Sequence, residues 1–100
     1  MAGMIRVGSR TWSASYGLFD WVVDALADRV SDPLVSAVLR EISGNGLGYL
    51  DPSDLGESGD AEVRALIRGL PEVADRELPA SPGRKDVVQH VRQLATLVPD

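Results

Sequence analysis

The stretch MIRVGSRTWSASYGLFDWVVDALADRV, residues 4–30, decides how much strand the chain contains. Its first seven residues set Met4, Arg6, Gly8 and Arg10 against Ile5, Val7 and Ser9, an alternation with the period of an edge strand. From residue 13 the period changes. Phe19, Val22, Val23, Leu26 and Val30 recur at spacings of three and four, which predicts a first helix over 13–30 with Ser13 or Ser15 as its cap. Asp20, Asp24 and Asp28 fall four apart on another face of that helix.

Helical signals dominate the rest of the chain. SDPL starts a second helix, with Ser31 or Asp32 capping and Pro33 at a position where its missing N–H costs nothing. Leu34, Val35, Val38, Leu39 and Ile42 form its apolar face, and Gly44 reads as a left-handed stop. Residues 47–50, LGYL, are short and extended, suited to pairing with the N-terminal strand. A third helix is expected around 60–70, and Pro71 either breaks it or begins a further turn, PEVADREL. A last helix over about 82–98 places Val87, Val88, Val91, Leu94, Ala95 and Val98 on one side, with Ser81 capping and Pro82 first. The expected fold is mainly α: a compact domain of four, or four to five, helices over 1–100, with room for a two-stranded β fringe from 4–10 and 47–50.

Composition narrows the chemistry. Cysteine is absent, which removes disulfides and thiolate chemistry together. No apolar run approaches the ~20 residues that span a membrane, and the first residues lack the apolar core of a signal peptide. A cytoplasmic location with no membrane partner is therefore expected. Residues 20–62 hold ten acids against only Arg29 and Arg40, a net −8, while the remaining residues hold five acids and eight bases. That asymmetry argues against nucleic acid, whose phosphates need clustered Lys and Arg. It favours solvation or a basic protein partner.

Three motifs invite a chemical reading, and each has a simpler one. DPSDLGESGDAE, residues 51–62, follows part of a calcium-loop skeleton with Asp51 first, Ser53 third, Gly56 sixth and Glu62 twelfth. Leu55 stands at the fifth, ligating position, however, and no helix enters the loop. A turn capped by Asp51, with Pro52 next and Asp54 in its first turn, uses the same residues better, leaving Ser58 or Asp60 to cap the third helix. Gly44, Gly46 and Gly48 resemble a phosphate-binding run, but a helix precedes them and no helix follows directly. His90 is the only histidine, which excludes a His-pair metal site within one chain. With Asp86 four residues earlier, it reads as an exposed i,i+4 pair. No metal, no cofactor and no catalytic residue are expected.

Four of the five aromatic residues, Trp12, Tyr16, Phe19 and Trp21, fall within ten positions. Trp21 sits beside Asp20 and Asp24, an arrangement suited to binding a basic surface. Completing the core is the alternative role for both tryptophans. The acidic helix, the YLD-x-S-x-L segment at 49–55 and the following amphipathic helix together resemble small bacterial immunity proteins of polymorphic toxin systems, over Tyr16 to Leu70. The resemblance implies neutralisation of a cognate toxin, often a basic nuclease, by covering its active site. Immunity proteins have unrelated folds, so it implies no architecture.

The expected function is a non-enzymatic protein-binding module. Its partner-binding residues would be Asp20, Trp21, Asp24, Asp28, Tyr49, Asp51 and Asp54. The competing expectation is a structural or regulatory subunit that self-associates through an apolar helix face.

Overall fold

Gly8 and Ser9 turn the N-terminal segment back on itself. In this computed structural model, which describes residues 2–98, Gly8 has φ 62° and no non-glycine residue has positive φ. A positive φ at the first central position alone is the signature of a type II′ hairpin turn, whose twist matches that of the strands it joins. Strand β1 (Ala2–Val7) therefore pairs antiparallel with β2 (Arg10–Ser15), Ala2 opposite Ser15 and Val7 opposite Arg10. The inward row is Ile5 and Val7 on β1 and Trp12 and Ala14 on β2. On the other side of β1 lies β3 (Tyr49–Leu50), parallel to it, with Ile5 beside Leu50.

The sheet is thus three-stranded and mixed, in the order β2-β1-β3, and the expected two-stranded fringe is overturned. Pairing between residues 47–50 and the N-terminal strand is present, and Met4 N donates to Gly48 O at 2.9 Å. Residues 4–10, however, are not one strand: they hold the end of β1, the turn and the first residue of β2. Residues 13–15, expected at the start of the first helix, instead form the end of β2.

Ser15 closes β2 and opens α1 (Tyr16–Arg29), its hydroxyl accepting from Leu18 N. The helix buries Phe19, Val22, Val23, Ala25, Leu26 and Ala27. Gly3 lets β1 lie against it, because a Cβ there would overlap the Phe19 ring. Helix α2 (Pro33–Gly44) is capped by Asp32, whose Oδ1 accepts from Leu34 N at 2.9 Å. Gly44 belongs to the helix rather than stopping it. Asn45 is the cap, and Gly46 takes the left-handed conformation. Of the five apolar residues expected to face the core, α2 buries only Val35, Leu39 and Ile42.

A 3₁₀ turn (Pro52–Leu55), capped by Asp51, leads into α3 (Gly56–Glu77). This helix runs through Pro71, so the expected break at that residue is overturned, and Ser58 and Asp60 lie inside the helix instead of capping it. Proline removes one intrahelical hydrogen bond. Leu70, Val73 and Ala74 are nevertheless buried around it, and their packing opposes a break. Helix α4 (Arg84–Ala95) begins after Gly83, without the Ser81 cap expected for it, and buries Val88, Val91 and Leu94. All four helices and the sheet contribute to one hydrophobic core, and no polar or charged residue is buried among the described residues.

Candidate protein-binding surface

Two of the three acids of α1, Asp24 and Asp28, lie along its seam with α2. Asp24 accepts from Ser43 Oγ at 2.6 Å, and Asp28 pairs with Arg40 at 2.5 Å. Arg40 is one of only two bases in the acidic segment, so Asp28 carries its own counter-ion. Asp20 is half-buried, and its Oδ1 is enclosed with no hydrogen-bond partner. Trp21 is half-buried and packs against the core rather than standing out from it.

Asp51 turns inward on its own loop. Its Oδ1 accepts from Ser53 Oγ at 2.7 Å and from Ser53 N at 3.0 Å. The Ser53 hydroxyl holds the carboxyl below the usual carboxylate range. The Ser53 N–H and the positive charges of Arg6 and Arg64 act in the same direction, and partial burial opposes them. Glu62, the other end of the supposed calcium loop, receives the N–H and hydroxyl of Ser31 at 3.0 and 3.2 Å. Asp51 thus fastens its own turn, and Glu62 ties α3 to the link between α1 and α2. Among the described residues, no group of three or more histidine or carboxylate side chains could hold a metal ion.

Asp54 has a different setting. It is exposed at the end of the 3₁₀ turn and borders an open groove of about 240 Å³ between that turn and α2. The lining is Asp32, Leu34, Val35, Val38, Asp54 and Leu55: four apolar side chains, two acids and no base. Gly59 lets α3 close in below this region, since a Cβ there would come within 3.2 Å of Val35 and 3.0 Å of Leu55. Leu34 is 77 % exposed and Val38 42 %. With Leu47 and Tyr49 they are the large apolar side chains left exposed among the described residues, and all four lie within the acidic segment.

Leu34, Val38 and Asp32 were not among the expected binding residues, yet the helical period contained a signal for the first two. At about 100° per residue, Leu34 and Val38 occupy one edge of the apolar stripe, while Ile42, Val35 and Leu39 follow about 80–140° further round from Leu34. Such a stripe is wider than a helix packed chiefly on one neighbour can cover. Here that neighbour is α1.

His90 also departs from expectation. It is half-buried, and its ring lies 4.9 Å from that of Trp12. Trp12 Nε1 donates to His90 O at 2.9 Å, and His90 Nε2 approaches Ser13 O at 2.6 Å. A carbonyl only accepts, so Nε2 carries a proton. Nδ1 lies 3.2 Å from Gln93 Oε1. Both ring nitrogens thus join α4 to β2 or to its own next turn, in place of the exposed pair with Asp86. Of the two tryptophans, Trp12 completes the core.

The positive charges collect elsewhere. Arg84, Lys85 and Arg92 line a second groove with Asp75, Val88 and Gln89 on α3 and α4, where Arg84 pairs with Asp75. No described helix is long and apolar enough to cross a membrane. Comparisons with protein-family models, curated proteins and solved structures found no match to the chain.

Proposed function

We propose that this chain is a non-enzymatic binding module whose acidic segment, residues 20–62, docks onto a basic protein. The observation that carries the reading is the coincidence of two independent properties. The segment with net charge −8 also holds every large apolar side chain left exposed among the described residues. Apolar area provides affinity at an interface, and surrounding charge of one sign selects the partner and speeds its approach. An immunity-type role is the specific form of this reading, in the cytoplasm, with a basic toxin domain as the partner.

The test is copurification with the basic C-terminal domain encoded by an adjacent reading frame, followed by association kinetics at low and high salt. The expected rate falls steeply with ionic strength. Replacing Asp24 and Asp54 together by lysine is expected to slow association by ~10-fold or more. An unchanged rate in that variant excludes this surface.

Self-association is the second reading, favoured by the exposed Leu34 and Val38. Sedimentation velocity across a range of concentrations separates the two, because a dimer grows with concentration in the absence of any partner.

A further inference from the structure

We infer that the groove between α2 and the 3₁₀ turn receives an amphipathic basic helix from the partner, apolar side chains inward and Lys or Arg against Asp32 and Asp54. This inference rests on the reading of the chain as a binder of basic proteins, and it names the place and the form of the contact.

Charge selects the occupant. The groove is lined by two carboxylates and no base. Asp32 already accepts from Leu34 N through Oδ1, which leaves its second oxygen for a partner. A second copy docking the same patch about a two-fold axis would bring these acids against their own counterparts, and like charges brought together cost affinity. A basic segment is attracted by the same arrangement.

Geometry selects a helix over an extended peptide. The groove is walled by α2 and a helical turn, so an extended peptide would find no strand edge to pair with. A helix brings its backbone bonds with it. Leu34 and Val38, one turn apart, form the kind of i,i+4 ridge that seats between the side chains of a facing helix. The volume of about 240 Å³ admits one or two large apolar side chains, since ~150 Å³ suffices for benzene.

The probe is a synthetic helical peptide of Leu and Lys, about 14 residues or four turns long, with its leucines at spacings of three and four. It is titrated into the full-length ¹⁵N-labelled chain. The expected result is a set of shift changes centred on Leu34, Val38, Asp54 and Leu55. Binding is expected to be ~10-fold weaker for a scrambled peptide of the same composition and for the variant L34D/V38D, and undetectable for a Leu/Glu peptide. A thermal melt of L34D/V38D confirms that it remains folded, and the milder V38A provides a second measure.

Equal binding of the scrambled peptide, or shifts centred on another face, overturns the inference. So do shifts at these residues that grow with protein concentration before any peptide is added, because they identify a second copy as the occupant. If L34D/V38D leaves binding of the basic toxin domain unchanged while Asp24→Lys, outside the groove, abolishes it, the groove assignment fails and the acidic reading survives. Loss of neither binding removes both.

Discussion

Helices α1 and α2 are neighbours of similar length with similar apolar content, yet they use that content differently. The first contacts β1, β2, α2 and α3, and it buries Phe19, Val22, Val23, Ala25, Leu26 and Ala27 on a broad face. The second packs chiefly on α1 and buries Val35, Leu39 and Ile42, leaving Leu34 and Val38 outside. An apolar side chain contributes to folding only when something covers it. The number of neighbours, more than the hydrophobicity of the helix, therefore separates a structural face from one available to a partner.

Substitutions can break this contrast, and the largest effect belongs to α1. Phe19→Ala is expected to cost ~3–5 kcal/mol, read by chemical denaturation, a large share of the ~5–15 kcal/mol typical of a whole domain. Gly3→Ala attacks the same contact from the sheet side and is expected to cost ~1–3 kcal/mol by forcing β1 and α1 apart. If Gly3→Ala were neutral, α1 would not be clamped by the sheet as described.

The junction of β2 and α4 tests how far that clamp extends. Trp12→Phe keeps most of the ring but removes the donor to His90 O. A loss of about 1 kcal/mol is expected, with shift changes reaching His90 in NMR spectra.

On α2 the expectation reverses. Leu34→Ser should change stability by no more than ~0.5 kcal/mol, as exposed positions usually do. A loss comparable to that of Phe19→Ala would show that Leu34 is covered in the native protein and would erase the contrast.

The smallest effect concerns pH. The carboxyl of Asp51 is held down in the folded chain, mainly by the Ser53 hydroxyl. A depressed folded pKa contributes stability above the ordinary carboxylate range, and the contribution is lost as pH falls through the folded value. Ser53→Ala is expected to move the Asp51 titration upward in an NMR pH series and to leave stability at acid pH nearly unchanged. An unmoved titration would assign the depression to the backbone N–H of residue 53, which the alanine keeps, together with Arg6 and Arg64.

The legible parts of the fold were those governed by neighbours along the chain. Asp32-Pro33 and Asp51-Pro52 each placed a cap and a first helical residue where the structure has them. The hairpin was also open to reading, because Gly-Ser between alternating residues favours a II′ turn. Ser13 and Ser15, however, also suited a helix start and drew the expected helix back over β2. Pro71 misled for the opposite reason: its local cost is real, but burial on both sides of it outweighs that cost, and no local pattern reports burial.

The candidate surface divides in the same way. The acidity of residues 20–62 is a property of composition and was visible from the outset. The placement of its members was not, because Ser43 and Arg40 reach Asp24 and Asp28 from another helix. By itself the sequence determined a mainly helical chain without cysteine, the helical starts at Pro33 and Pro52 and the charge difference between the acidic segment and the rest. Tertiary structure alone decided the course of α3 through Pro71, the burial of Trp12 against His90 and the exposure of Leu34 and Val38. Periodicity shows that a side chain is apolar and which way it points, whereas burial depends on what the distant chain brings to meet it.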